Sequence, residues 1–273
     1  MLKCWKKGRD FRMLPAISTA CLYPLETERA LDKLLTLGFR RFEVFINCES
    51  EFSGVFADGL KSRLRGAGAE ICSLHLYTCG LEPFLFFTEY PRRFADGVAQ
   101  YRRYFAQAAR LGASFVVFHG DRRDSPLPLP EFCERFAALA AAAREEGVTL
   151  AQENVARCRS ATAAEITGMK RLLGDGIRFV LDVKQALRAG ESPLAMADAM
   201  GRNIALVHLS DSSPEQDCLL PGTGCADLPA LCAHLTRAGF CGPLVTEVYR
   251  GCFEGDADLV RARRFLETLA GPR

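Results

Sequence analysis

At 273 residues, with 49% hydrophobic and 25% charged side chains, the chain has the profile of a soluble globular protein with a large core, long for one domain unless that domain is a barrel of roughly 250 residues. A net charge of +2 and no basic stripe argue against a nucleic-acid-binding protein, and no apolar run approaches the ~18 residues of a membrane span. The 12 scattered cysteines contain no C-x-x-C pair of a zinc ribbon, and thiols in a chain without a secretory signal predict a cytoplasmic location.

Residues 1–13 read as a leader and 14–273 as one domain. Residues 14–20 are the candidate first strand; after Pro24, residues 26–37 read as a helix stopped by Gly38. Residues 40–47 (RRFEVFIN) make the second strand, 60–65 the core of the second helix, and 69–77 the third strand. A long loop, 78–91, carries Phe84, Phe86, Phe87 and Tyr90. The third helix spans 93–111 and stops at Gly112, and 114–119 (SFVVFH) is the fourth strand. Pro130 suits the first turn of the fourth helix, which runs to Glu146. Strands follow at 148–153, 177–183, 203–209 and 244–249, and helices at 162–173, 193–200, 228–238 (with Asp227 as N-cap) and 256–269. Continuous apolar runs such as FVVF, IRFVL and NIALV are the mark of parallel strands buried on both faces. Eight strand–helix units predict closure into a single-domain (β/α)8 TIM barrel. An open doubly wound sheet would want a glycine-rich turn after the first strand, where the chain has CLYP.

In such a barrel the loops after the strands form the functional face. His75, His119 and His208 close predicted strands, whereas His234 falls in mid-helix. Glu153, Asp182 and Glu247 close three more. Three carboxylates at one mouth repel one another, and burying an unpaired ion is costly. A divalent ion with His208 as fourth ligand resolves the conflict, and oxygen-rich ligation with one imidazole suits manganese, magnesium, cobalt or zinc. His75 and His119 would favour zinc or a second ion. The bland alternative is that these rim residues satisfy one another and the backbone.

Glu43 either hydrogen-bonds a substrate or pairs with a basic neighbour. Lys184 follows Asp182 by two, which on a strand puts both on one side, to hold an anionic group, donate a proton to an oxyanion, or pair with a carboxylate. Asp211, in HLSD, orients His208 or a loop, or helps to bind substrate. Arg157, Arg122 and Arg123 are candidates for a phosphate or carboxylate, or are solvated charges. The PGTG turn at 221–224 offers backbone N–H groups to a substrate oxygen. The aromatic loop reads as a lid or as a subunit contact through residues 84–90.

The ordered set SLH (His75), VFHG (His119), AQEN (Glu153), VLD (Asp182), VHLSD (His208), GTG and TEV (Glu247) covers nearly the whole chain past residue 13. It resembles the xylose isomerase-like TIM-barrel superfamily of sugar isomerases and epimerases, which also includes endonuclease IV. The resemblance implies that Glu153, Asp182, His208 and Glu247 are the four ligands of a single metal, with Glu153 and Glu247 as the proton-shuttling pair. It also matches His75 and His119, with Glu153, to an additional zinc of endonuclease IV. The sequence departs from the family at Gln185, where a histidine is common. Gln216, Asp217, Cys218 and Leu219 stand where endonuclease IV has further aspartate and histidine ligands, and Pro214 and Glu215 where some ketose epimerases place an arginine.

The resulting expectation is a metal-dependent isomerase or epimerase, with one or two ions, acting on a small carbohydrate (sugar, sugar phosphate or inosose) through an enediolate. Glu153 and Glu247 would exchange the proton and Lys184 would serve as acid; a dehydratase is a close variant. The alternatives are an endonuclease IV-like phosphodiesterase acting on abasic DNA and a non-catalytic binding protein.

Overall fold

A computed structural model describes residues 12–271, so the expected leader lies outside the described residues except for its last two, of which Met13 is buried in the core. Eight parallel strands close into a barrel in sequence order: β1 (Leu14–Ser18), β2 (Arg41–Ile46), β3 (Glu70–Leu76), β4 (Phe115–Phe118), β5 (Thr149–Glu153), β6 (Arg178–Asp182), β7 (Ile204–Leu209) and β8 (Pro243–Thr246), the last pairing with β1. Around them lie α1 (Thr27–Thr36), α2 (Gly54–Ala67), α3 (Glu82–Phe86), α4 (Pro91–Leu111), α5 (Leu129–Glu145), α6 (Ala163–Leu173), α7 (Val183–Arg188), α8 (Pro193–Met200), α9 (Leu228–Arg237) and α10 (Asp256–Leu269). Asp227 caps α9 as expected, accepting from Ala230 N at 2.9 Å. No helix among the described residues is long and apolar enough to cross a membrane.

Several boundaries differ from the sequence expectation. β1 stops at Ser18, whose hydroxyl caps a 3-10 turn over Thr19–Leu22. The second helix starts well before residue 60, because Ser53 caps α2 by accepting from Phe56 N at 3.2 Å. The aromatic loop contains α3, and its Phe86 and Phe87 are buried, leaving only Phe84 and Tyr90 of its four aromatic rings exposed. A helix, α7, follows β6 at once, begun by Asp182 accepting from Gln185 N at 2.8 Å.

Most of the apolar core lies between barrel and helices; the barrel interior is filled by a smaller group, including Ala16, Cys72, Val117, Ala151, Val180, Ala205 and Val245. Two irregularities decide what stands above that floor. Pairing of β2 with β3 steps from Phe42–Ile71 to Glu43–Ser73, leaving Cys72 as an extra residue. Pairing of β6 with β7 steps from Phe179–Ile204 to Val180–Leu206, leaving Ala205 extra. An extra residue flips the in–out alternation of everything after it. Leu74, Leu76, Val207 and Leu209 therefore pack outward, and His75 and His208, each three residues past its bulge, point into the barrel mouth.

Candidate metal centre

The ends of β5 to β8 deliver Glu153, Asp182, His208 and, one residue past β8, Glu247; one ligand atom from each lies within 4.8 Å of all the others. Strand ends hold them because the backbone there is fixed by neighbouring side chains. Asn154 locks β5 to β6, accepting from Asp182 N at 2.7 Å and donating to Asp182 O at 3.0 Å. Gln152 Nε2 donates to His119 O at 2.8 Å and to Glu153 O at 3.0 Å, tying β4 to β5. Gln185, at the position of the common family histidine, accepts from Ala156 N at 3.0 Å and so braces the β5 loop.

His208 is the hub. Its Nδ1 stands 3.2 Å from Glu153 Oε1, 3.4 Å from Glu247 Oε2 and 3.8 Å from Asp182 Oδ2. Its Nε2 is 3.0 Å from Glu43 Oε2, which also accepts from Ser73 Oγ at 2.8 Å. Glu43 is thus the partner of a basic neighbour, fully buried beneath His208; it fixes the Nε2 proton and aims Nδ1 at the three carboxylates. Asp211 does not reach His208's ring. Its carboxylate accepts from the backbone N–H of Ser212, Gly222, Gly224 and Ala226, which orients the loop and occupies the two glycine amides of the PGTG turn. Gly224 is required there, since a Cβ would come 2.4 Å from Ser212 O.

Lys184 lies on the first turn of α7 and not on a strand, yet its Nζ sits 2.7 Å from Asp182 Oδ2 and 2.7 Å from Glu247 Oε2. The carboxylate pairing weighed from sequence is therefore what the structure holds. Burial opposes its charge, but Asp182, Glu247 and Glu153 hold the ammonium well above its ordinary value. Burial also works against Glu247, whose carboxyl Lys184 and His208 nonetheless hold down at about 2. Glu153, equally buried, is kept well below the usual range by the imidazoles of His119, His208 and His75. Asp182 is raised by burial against the pull of Lys184. Burial disfavours an imidazolium at His208, but Glu43 and Glu247 push it well above its ordinary value.

On the other side of the mouth His75 and His119 approach Nε2 to Nε2 at 3.1 Å. Glu82, on α3, holds the end of β4 by accepting from His119 N at 2.8 Å and Gly120 N at 2.7 Å. Burial keeps His119 below its ordinary value, while His75, also buried, is raised by Glu153 and Glu247. Arg157 is exposed, with Nη2 3.4 Å from His119 Nδ1. Arg122 stacks over Phe84 at 5.9 Å and Arg123 is exposed, so neither contributes to the cluster.

The donor set fits a divalent cation. Glu43, Glu153, Asp182 and Glu247 are four buried or half-buried carboxyls with one ammonium among them. Without an ion, Glu43 and Glu247 favour the charged form of His208 against its burial, a positive charge that a dication could replace. Glu153 Oε2 is buried without an aligned hydrogen bond, an oxygen that a cation would satisfy.

Beside the cluster a pocket of about 530 Å³ is lined by Arg188, Gln216, Asp217, Cys218, Tyr249 and Cys252 among others. Tyr249 links the two, accepting from Arg188 Nη1 at 2.8 Å with Lys184 Nζ 6.0 Å from its ring centre. Sequence reasoning named neither Tyr249 nor Arg188 nor Glu82 as part of the site; each comes from a loop or short helix whose position no periodicity reveals.

A profile of the xylose isomerase-like TIM barrel matches residues 31–269. The chain belongs to the xylose isomerase-like TIM-barrel family. Among its relatives, an uncharacterized protein of Mycobacterium leprae is 27% identical, spanning 92% of this chain and 96% of its own. Two solved structures share the barrel. One, an L-ribulose 3-epimerase, has TM-score 0.77 at 20% identity, covering 95% of this chain and 94% of that one. The other, D-psicose 3-epimerase from Clostridium cellulolyticum H10 with D-tagatose, has TM-score 0.76 at 16% identity, covering 94% and 98%. At such identities this family member shares their fold, and its chemistry has to be argued from its own residues.

Proposed function

We propose that the protein is a divalent-metal-dependent isomerase or epimerase of a small sugar or sugar-like α-hydroxycarbonyl, working through an enediolate. The observation that carries this reading is the pair Glu153 and Glu247: two carboxyls held below the usual carboxylate range beside His208 Nδ1, at 3.2 and 3.4 Å, with Asp182 completing a cation-binding set. A cation held by Glu153, Asp182, His208 and Glu247 would polarise the carbonyl and hydroxyl oxygens of the substrate. One of the two glutamates would take the proton from the carbon between those oxygens and become a carboxylic acid; the other, ionised in the resting site, would first take a proton from solvent and then deliver it to the enediolate, while the first releases its own to solvent. Lys184, whose ammonium form Asp182 and Glu247 favour against burial, would steady Glu247 and donate a hydrogen bond to the developing oxyanion.

The neighbouring pocket falls within the ~300–1,000 Å³ range of small-molecule sites, and the Arg188, Ser213, Gln216 and Asp217 side chains in its lining suit the hydroxyl-bearing remainder of a carbohydrate. The exposed Phe84 and Tyr90 are what the aromatic loop leaves for a subunit contact. A phosphodiesterase reading gains support from the grouping of His75, His119 and Glu153, but the neighbouring pocket offers a DNA backbone no spare positive charge: its Arg188 is paired with Asp217, and Glu215 is acidic.

The test is deuterium uptake from solvent into a panel of ketoses and inososes, with Glu153→Gln as control and a nicking assay on abasic duplex DNA alongside. Uptake that depends on metal and on Glu153 is the expected result. Nicking without uptake would replace this reading with the phosphodiesterase one.

A further inference from the structure

The pocket beside the metal cluster contains one guanidinium, and that guanidinium is already taken. Arg188, on the last turn of α7, donates from Nε to Asp217 Oδ2 at 2.5 Å and from Nη2 to Asp217 Oδ1 at 3.0 Å, gripping both oxygens of one carboxylate. Its Nη1 donates to Tyr249 Oη at 2.8 Å, and its guanidinium carbon lies 5.4 Å from the centre of that ring. Asp217 meets it from a pinned stretch of backbone. Asp211 and Leu219 exchange backbone hydrogen bonds at 2.8 Å, and Ser213 N donates to Gln216 O at 2.7 Å. Cys218, the next residue, is buried in the core.

The pairing decides the charge that the pocket presents. Glu215, Asp217 and Arg188 line it, two negative charges against one positive. Lys184, 6.0 Å from the Tyr249 ring centre, is held by Asp182 and Glu247. An entering phosphate or carboxylate would meet this acidic lining, and could gain Arg188 only by leaving Asp217 unpaired. Hydroxyl groups face no such opposition. Of the five N–H donors of a guanidinium, three are engaged in the bonds to Asp217 and Tyr249, so two remain for sugar oxygens. The two carboxylates can accept from sugar hydroxyls.

We propose that Asp217 sets the charge of the substrate: by occupying Arg188 it makes this pocket take an uncharged polyhydroxy compound, a free ketose or inosose, and turn away sugar phosphates and sugar acids. The inference rests on the sugar reading above, with the pocket holding the end of the substrate away from the reacting carbons. The side chains of the pair are 29% and 44% exposed, and an ion pair so open to solvent contributes little to stability. Its consequence is for which ligand enters.

Sulfate, a tetrahedral dianion like a phosphate ester, is the probe. It is titrated calorimetrically into the full-length protein at constant ionic strength. Asp217→Asn is expected to bind sulfate at least ~10-fold tighter than the unsubstituted protein, the worth of one charge-assisted hydrogen bond. The gain disappears in the double variant Asp217→Asn, Arg188→Met. Glu215→Gln removes a charge from the same lining without releasing Arg188, and gains less. Misfolding cannot produce a gain that depends on Arg188. No gain in Asp217→Asn, a gain that survives the loss of Arg188, or an equal gain in Glu215→Gln overturns the proposal. In the deuterium-uptake panel, extended by terminal phosphates of the same ketoses, kcat/KM of the unsubstituted protein favours the free sugars and Asp217→Asn moves the ratio toward the phosphates. Preference of the unsubstituted protein for the phosphates also overturns it. The sulfate titration reads binding without turnover, so an absence of uptake from every compound sinks the sugar reading, and an unmoved sulfate affinity sinks this inference alone.

Discussion

On the β6–β8 side of the mouth each carboxylate has a fixed positive neighbour: Lys184 stands between Asp182 and Glu247, and His208 is clamped from below by Glu43. On the β3–β4 side nothing plays the part of Lys184. His75 and His119 face each other, His75 Nδ1 and Glu153 Oε2 are buried without hydrogen bonds, and the nearest guanidinium is exposed. One half holds its charges in fixed pairs, and the other leaves a ring nitrogen and a carboxylate oxygen without hydrogen bonds. Glu153 joins them and should feel both.

The sharpest way to break that comparison is Glu153→Gln. Proton exchange should fall by about 10²–10⁴-fold, the usual worth of a positioned general base, with metal affinity reduced. If metal affinity is unchanged, Glu153 belongs to the His75–His119 side alone. Next is Lys184→Met, which strands two carboxylates. The metal-free protein should lose about 3–5 kcal/mol, the cost of breaking a buried pair, and recover part of it on adding metal; a thermal melt with and without ion decides. Glu43→Gln loosens the grip on His208 and should weaken metal binding by about 10–100-fold. Calorimetric titration that shows the affinity unchanged would contradict the clamp on His208.

The smallest effect is on pH. His208 is raised above its ordinary value of 6.5, so its stabilisation is complete below that pH and is lost as pH rises. Glu247 is lowered from 4.5 to about 2, so its stabilisation is present above 4.5 and is lost as pH falls toward 2. The metal-free protein should therefore melt highest between those ordinary values, and a bound ion should flatten the alkaline decline by taking over from the imidazolium. An alkaline decline unchanged by metal would show that no ion reaches His208.

The barrel was legible because its strands are continuous apolar runs separated by glycine stops, and the six charged and imidazole side chains because each interrupts such a run at its end. The bulges at Cys72 and Ala205 were not, since one extra residue in an apolar run leaves no mark in composition, yet they decide that His75 and His208 face inward. α3 was hidden by its Pro83 and dense aromatics, and α7 because its six residues start where β6 ends. Placing Lys184 on a strand was an error of local geometry that left its contacts intact, because the first turn of α7 still returns Nζ to Asp182. Glu43 meets its partners only through strand placement across the barrel, which spacing along the chain does not encode.

Anomalous diffraction from crystals grown with Mn2+ tests the central claim most directly. The account requires a peak within coordination distance of Glu153, Asp182, His208 and Glu247. Lys184 bridging Asp182 and Glu247 with no peak between them and His208 would contradict it.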